Sequence, residues 1–232
     1  MNIDKLMSKT VLAIDASTEC CSTALLHRGK ITDLHSKIPR EHTKYVLAMI
    51  NDLLDESGIW INDLDYIAFG HGPGSFTGVR LAASLVQGLA APYDIPVVGV
   101  STLRTIAQEV LEKSKFPKLL VALDARMKEV YLGKYVENGG IMCSAVPDSL
   151  IKIDMLEKQL FDEEFVFVGN GFKLCNEKLA RKVVELADIS VVQARYIIKL
   201  SLFDSGFENG TFLPAEKALP VYLRDKIVAS QY

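Results

Sequence analysis

Short apolar runs alternate with longer amphipathic segments along the chain, and this pattern predicts strands and helices packed in layers. Residues 11–14 form a continuous apolar run, typical of a strand buried on both faces. A polar turn follows, and residues 22–26 and 31–38 can return as second and third strands. Residues 66–69 and 97–100 are further short apolar runs. Strands interspersed with helices indicate an α/β domain.

Helical periodicity marks the longer segments. Apolar positions recur every three or four residues in 43–56, 79–91 and 102–113, the spacing of helices that cover a sheet. A glycine-rich loop, residues 70–78, separates the strand at 66–69 from the next helix. The second half predicts a loop and short helix over 147–159, a strand over 165–168, helices over 176–186 and 194–208, and an extended piece over 221–224.

One pattern occurs twice in the chain. Residues 12–16 read Leu-Ala-Ile-Asp-Ala and residues 121–125 read Val-Ala-Leu-Asp-Ala, and in both places an apolar strand ends in Asp-Ala, turns and returns as a strand. We interpret this as a duplicated strand–turn–strand unit that opens each half of the chain. The sequence therefore predicts two lobes, residues 1–108 and 109–232.

Composition and charge narrow the function classes. The chain carries 26 Lys and Arg against 29 Asp and Glu, a net charge of −3, so nucleic acid binding needs a local basic patch or a partner. The longest apolar stretch, 79–91, is interrupted by Arg80 and Gln87 and predicts no membrane span. Residues 1–10 are mostly polar, so we expect no secretory signal there, and the four cysteines form no CxxC motif. We expect a cytoplasmic protein with reduced thiols.

The glycine-rich loop is the first candidate for chemistry. Its glycines and the following helix start would converge backbone N–H groups on an anion, or let another chain's backbone approach closely. A tight strand–helix connection capped by Ser75 or Thr77 explains the same residues. The spacing fits neither a P-loop nor a dinucleotide fingerprint. The candidate residues are Gly72, Gly74, Ser75, Thr77, Gly78 and Arg80.

Two aspartates that each end a buried strand are the second candidate. In two-lobed nucleotide-binding folds, acids at these places face the cleft and the turns beside them bind phosphate. Here neither turn contains glycine, so side chains crowd the place of a phosphate, and capping of the local turn is the alternative role for both acids. A Gly-Asn-Gly loop could lie close to a flat ligand such as adenine. The candidate nucleotide contacts are Asp15, Ser17, Thr18, Asp124, Gly169, Asn170 and Gly171.

No metal centre or nucleophile is predicted. The four histidines at positions 27, 35, 42 and 71 form no i, i+4 pair, and no serine lies in a nucleophile-elbow motif. A peptidase activity therefore has no residues to carry it.

The helices at 43–56 and 79–91 are apolar over about 200° of their surface, against ~100° for an ordinary surface helix. One face covers the sheet, and the remainder is either buried by other parts of the chain or forms an interface. The candidate interface residues are Tyr45, Val46, Met49, Ile50, Leu53, Leu81, Leu85, Gly88 and Leu89.

Several of these segments together resemble the TsaB (YeaZ) family, the accessory subunits of the bacterial tRNA threonylcarbamoyladenosine machinery. The resemblance runs from the first strand almost to the C-terminus, and GPGSFTGVR is its most specific block. The segments are VLAIDAST (11–18), REH (40–42), GPGSFTGVR (72–80), GVSTL (99–103), LDARMKEVY (123–131), GNG (169–171) and PVYLR (220–224).

The resemblance implies an actin/Hsp70/sugar-kinase-like (ribonuclease H-like) α/β fold with two duplicated lobes and a degenerate nucleotide cleft. It also implies a non-catalytic subunit that binds and activates a catalytic paralogue, TsaD, together with the ATPase TsaE. That assembly transfers a threonylcarbamoyl group to N6 of an adenosine beside the tRNA anticodon. The metal-binding His-x-x-x-His pair of the catalytic paralogue is missing from this sequence.

Partners and ligands follow from the same resemblance. The family pairs through the two helices of the first lobe, as a homodimer when alone or with TsaD, and would meet tRNA only within the complex. Weak ATP or ADP binding is the only cofactor expectation. The alternative is an ATPase or kinase of the same fold with its own working cleft, in which Asp15 and Asp124 face a metal.

Overall fold

The first sheet of the computed structural model contains five strands. They are β1 (Val11–Asp15), β2 (Cys21–His27), β3 (Lys30–Ser36), β4 (Tyr66–Gly72) and β5 (Val97–Ser101), in the order β3-β2-β1-β4-β5. β1 runs antiparallel to β2 and parallel to β4. The structure describes residues 8–36, 42–159, 164–175, 192–205 and 212–224.

The second sheet repeats the arrangement of the first. Its strands are β6 (Lys118–Arg126), β7 (Glu129–Asn138), β8 (Ile141–Lys152) and β9 (Val166–Val168), in the order β8-β7-β6-β9. β6 runs antiparallel to β7 and parallel to β9, as β1 does to β2 and β4. The duplicated unit predicted from the two Leu/Val-Ala-Ile/Leu-Asp-Ala runs is therefore confirmed.

Five α-helices in the described part of the chain cover the sheets. They are α1 (His42–Ser57), α2 (Phe76–Ala90), α3 (Thr102–Ser114), α4 (Ile153–Gln159) and α5 (Ala194–Ser205). α1 and α2 pack on one face of the first sheet, and α5 packs on its other face. α3 packs on the second sheet, whose opposite face meets α4 and a short 3₁₀ helix, Asn170–Leu174.

Two helices, α3 and α5, each pack on the sheet formed by the other half of the chain. α3 follows the last strand of the first sheet but covers the second, while α5 lies in the second half of the chain but covers the first sheet. The predicted boundary between residues 108 and 109 falls inside α3. Each sheet is covered in part by a helix from the other half of the chain, and the division into lobes 1–108 and 109–232 stays a prediction.

Three predicted boundaries also change. The glycine-rich loop predicted over residues 70–78 is shorter, because β4 continues to Gly72 and α2 begins at Phe76. The loop predicted at 147–152 is the end of β8; Pro147 is tolerated there because β8 is an edge strand. The predicted helix 176–186 and the end of the helix 194–208 lie outside the described residues. None of the described helices combines the length and apolar character needed to cross a bilayer.

Candidate functional site

The glycine-rich loop lies directly against the β1–β2 turn. A Cβ atom on Gly74 would lie 2.3 Å from the Ser17 carbonyl oxygen, and a Cβ on Gly78 would lie 1.8 Å from the Ala16 carbonyl oxygen. The Ser75 N–H donates to the Ser17 carbonyl oxygen over 2.7 Å. These two glycines are therefore required because the two segments of the same chain touch along their backbones.

This contact decides among the interpretations of the loop. The space beside the glycines is filled by the backbone of this chain's own β1–β2 turn, and not by an anion or another chain. Ser75 caps α2, since its side chain accepts from the Gly78 N–H, as the tight-connection interpretation predicts. Thr77 and Arg80 remain exposed on the first turn of the helix.

Asp15 lies beneath this contact and is fully buried. Its Oδ1 atom accepts from the Ser17 N–H over 3.0 Å, and the Ser17 hydroxyl lies 3.0 Å from both carboxylate oxygens. A Cβ on Gly70 would lie 1.8 Å from Asp15 Oδ2, so Gly70 leaves room for the carboxyl group. Burial raises the pKa of Asp15 to about 7, although the Ser17 hydrogen bonds oppose the shift.

Asp124 occupies the corresponding place in the second lobe but is partly exposed. Its Oδ1 atom accepts from the Arg126 N–H over 2.7 Å, and its Oδ2 lies 3.1 Å from the Arg126 guanidinium. Both aspartates thus accept from the N–H two residues further on, as the turn-capping interpretation predicts.

The Gly-Asn-Gly loop closes onto β6. A Cβ on Gly169, whose φ is +107°, would lie 2.1 Å from the Ala122 carbonyl oxygen, and Gly171 is similarly close to Ala122. Asn170 accepts from the Asp124 N–H through its Oδ1 atom over 2.9 Å. The loop therefore packs on a strand of its own lobe at the face where a flat ligand was expected to pass.

Other polar groups lie near the first-lobe turn. The Thr18 hydroxyl is buried and has no hydrogen-bond partner among the described residues. The His71 ring packs over Gly99, and burial lowers its pKa to about 4, so the imidazole is neutral at physiological pH. Among the described residues, no three His, Cys, Asp or Glu side chains are grouped so as to hold a metal ion.

Part of the predicted helix interface is core. Val46, Met49, Ile50 and Leu53 on α1 are all buried against the first sheet. Their assignment to a partner interface is wrong, because the apolar arc of α1 includes the face that covers the sheet, and residue types do not separate the two.

The remaining interface candidates lie at the surface. Tyr45, Leu81, Leu85 and Leu89 are half-buried at the edge of the first core, and Gly88 is exposed. A Cβ on Gly88 would meet no atom within 4 Å. The prediction that these residues form an interface stays open to test.

The C-terminal segment contributes contacts that the sequence patterns did not reveal. The Val221 N–H donates to the His71 carbonyl oxygen over 2.8 Å. The Tyr222 hydroxyl accepts from Arg80 Nε over 2.7 Å, and the Tyr222 ring lies 6.2 Å from that of Phe76. The motif PVYLR marked this segment, but only the folded chain places it beside α2.

Arg224 joins the same segment to the second lobe. Its Nη2 atom donates to the Ala125 carbonyl oxygen over 3.0 Å and lies 2.6 Å from Glu129 Oε2. Its Nη1 atom lies 2.7 Å from Met127 Sδ. Residues 221–224 therefore connect the start of α2 in one lobe to the β6–β7 turn in the other.

Two related sheets, each opening with a strand that carries a capping aspartate at or near its end, define a two-lobed α/β protein of the actin/Hsp70/sugar-kinase-like fold. YeaZ from Pseudomonas aeruginosa has the same fold, with a TM-score of 0.80 and 37% sequence identity over 93% of this chain and 100% of that one. The family model described as "TsaD: tRNA N6-adenosine threonylcarbamoyltransferase" matches residues 36–207.

Curated relatives identify the family within this class. The chain is 36% identical to the Escherichia coli (strain K12) tRNA threonylcarbamoyladenosine biosynthesis protein TsaB, over 94% of this chain and 95% of the relative. It is 34% identical to the Haemophilus influenzae protein of the same name, over 94% of each. The chain belongs to the TsaB (YeaZ) family, and the predicted resemblance is confirmed.

Proposed function

We propose that this chain is a non-catalytic subunit of the complex that synthesises N6-threonylcarbamoyladenosine in tRNA. In this proposal it binds the catalytic paralogue TsaD and activates it together with the ATPase TsaE, in the cytoplasm. It forms a homodimer when its partner is absent. The observation that carries the non-catalytic role is the contact of Gly74 and Gly78 with the β1–β2 turn.

That contact supports the proposal because the turn would have to receive phosphate in a working enzyme of this fold. The Ala16 and Ser17 carbonyl oxygens are covered by glycine backbone. Asp15 has no exposed surface and a pKa about equal to cellular pH, so it is a poor metal ligand. The Asp124 carboxylate already forms an ion pair with Arg126.

The outer face of α2 supports the partner role. Leu81, Leu85 and Leu89 recur at every fourth residue, and Gly88 lies open beside them. A glycine inside a helix costs about 0.5–1 kcal/mol relative to alanine, and no described atom of this chain uses the space at Gly88. Close approach of a partner's helix backbone would account for it.

Reconstitution tests the proposal. We expect purified TsaD and TsaE, supplied with ATP, threonylcarbamoyl-adenylate and tRNA, to modify tRNA strongly only when this chain is added. The Leu85→Asp variant should lose stimulation and pairing while keeping its fold, because it places a charge in an apolar contact. Val146→Asp, at an exposed apolar position on β8, is the matched control and should stimulate normally.

Two outcomes would contradict the proposal. Equal modification with and without this chain would remove the activating role. ATP turnover by this chain alone, abolished by Asp15→Ala and Asp124→Ala, would favour the alternative of an ATPase or kinase with its own cleft. Calorimetry with ATP and Mg²⁺ measures the weak nucleotide binding that remains an open expectation.

A further inference from the structure

A group of exposed cationic and apolar side chains crosses the junction of the two lobes. We define it as the cation–aromatic patch; its members are Phe76, Arg80, Arg126, Met127, Lys128 and Tyr222. We propose that this patch is an RNA-contacting surface that takes a single-stranded loop. The inference rests on the proposed function, since it assigns that subunit a direct contact with the RNA substrate.

The first half of the patch is a stack of two rings and a guanidinium. Arg80 Cζ lies 3.6 Å from the centroid of the Phe76 ring and 5.6 Å from that of Tyr222. The Tyr222 hydroxyl fixes the guanidinium by accepting from Nε. Nevertheless Phe76 is 48% exposed and Tyr222 is 43% exposed. A fixed, half-exposed aromatic and guanidinium surface is the kind on which unpaired bases stack.

The second half is the β6–β7 turn. Arg126, Met127 and Lys128 have φ values of 64°, 55° and 60°, and three successive non-glycine residues in the left-handed region are energetically unfavourable. All three side chains point outward, and Met127 is 80% exposed. Met127 and Lys128 form the two-residue loop of this hairpin, a loop length that favours positive φ at both positions. The turn thus presents two cations around an apolar tip.

Arg224 holds this turn in place. It is largely buried and donates to the Ala125 carbonyl oxygen, while it pairs with Glu129. Its Nη1 atom also lies 2.7 Å from Met127 Sδ, and only Leu223 separates it from Tyr222 along the chain. Arg224 therefore links the β6–β7 turn to the segment that carries the Tyr222 ring.

Charge and the aromatic rings together favour RNA over an acidic protein segment. The chain as a whole carries −3, yet Arg80, Arg126 and Lys128 project from this patch. Of these three cations, only Arg126 pairs with a carboxylate of a described residue. A polyanion would match these cations, as an acidic peptide also would. The two half-exposed rings decide between them, because bases use ring faces and carboxylates do not.

The test measures binding of a fluorescent RNA anticodon stem–loop by anisotropy, with this chain alone and with this chain assembled with TsaD. Arg126→Gln combined with Lys128→Gln should weaken binding roughly tenfold and lower the slope of log K against log salt by about 1.4. Tyr222→Leu should weaken binding roughly tenfold without changing the slope, and Tyr222→Phe should restore it.

The matched control removes the same charge elsewhere. Arg28 and Lys30 lie at the β2–β3 turn, at the opposite end of the first sheet from the β1–β2 turn. The variant that combines Arg28→Gln with Lys30→Gln should bind RNA as the unmodified chain does. Urea unfolding of each variant confirms its fold. A blunt RNA duplex of equal length should bind more weakly than the stem–loop.

Several outcomes would overturn the proposal. These are unchanged stem–loop affinity in the patch variants, no measurable stem–loop binding by the assembled complex, or loss of TsaD or TsaE association with RNA affinity preserved. The last result would make the patch a protein contact. Patch-dependent RNA binding by a chain that fails to stimulate modification would instead leave this inference standing and remove the proposed function.

Discussion

Two aspartates that look alike in sequence behave differently once the chain is folded. Asp15 ends β1 and Asp124 lies two residues before the end of β6, and each accepts from the N–H two residues further on. Only Asp15 is closed over by a second segment, because Gly70 and the glycine-rich loop pack on it. The motif Asp-Ala predicts the cap, but the solvent exposure of each carboxyl group depends on what folds across it.

The burial of Asp15 predicts a pH-dependent stability. Its folded pKa, about 7, lies above the ordinary value of 3.8, so the folded chain binds this proton more tightly. The contribution of Asp15 to the free energy of unfolding is then complete below pH 3.8, falls by up to about 1.4 kcal/mol per pH unit between these values, and is constant above about 7.

Replacing Asp15 with asparagine should remove this decline. The amide oxygen can still accept from the Ser17 N–H, and no charge has to be buried at high pH. Urea unfolding of the Asp15→Asn variant and the unmodified chain at pH 5 to 8 should show the variant gaining relative stability as pH rises. Asp94→Asn, at an exposed residue, is the control, and a parallel pH dependence in all three chains would refute the prediction.

At the scale of elements, α2 separates two uses of glycine within one helix. Gly78 is needed because a Cβ would lie 1.8 Å from the Ala16 carbonyl oxygen, whereas Gly88 faces open space. Both positions are helical, so intrinsic propensity alone would favour alanine at each. A difference in stability between alanine variants at the two positions therefore measures the contribution of packing between α2 and the β1–β2 turn.

Alanine substitutions at these two glycines should have opposite effects on the isolated chain. Gly78→Ala should lower the free energy of unfolding by about 1–3 kcal/mol, because backbone atoms must separate. Gly88→Ala should raise it by about 0.5–1 kcal/mol when the chain is kept dilute enough to be monomeric, because a Cβ there meets no atom within 4 Å. Chemical denaturation monitored by circular dichroism measures both, and a stabilising Gly78→Ala would show that the loop does not need this contact.

Periodicity predicted α1, α2 and most strands because each is determined by local spacing. It did not predict which part of the apolar arc of α1 is core, since Val46 and Leu53 on the buried face are the same kind of residue as Leu47 at the surface. It likewise marked the glycines of the loop without identifying the Ala16–Ser17 turn that lies against them. These are contacts between segments about 60 residues apart, which local patterns do not encode.

At the scale of the molecule, the lobes are joined by crossed helices and by a buried polar network. Ser101, at the end of β5 in the first sheet, donates to Asp148 Oδ2 over 2.5 Å, and Tyr135 of the second sheet donates to Oδ1 over 2.5 Å. Burial raises the pKa of Asp148 and raises that of Tyr135 well above its usual range. Nearby, Arg104 of α3 pairs with Asp204 of α5.

This network should make the two sheets unfold together. Asp148→Ala removes the carboxylate that accepts from both Tyr135 and Ser101, and leaves only the longer 3.4 Å contact between these two hydroxyls. The loss should cost about 1–3 kcal/mol. Hydrogen exchange across a urea series should show β1–β4 and β6–β8 of the unmodified chain opening at one concentration, and β6–β8 of the variant opening first. Ser149→Ala, at the exposed neighbouring residue, should behave as the unmodified chain. If both sheets of the Asp148→Ala variant still open at one concentration, the network stabilises the second lobe without coupling it to the first.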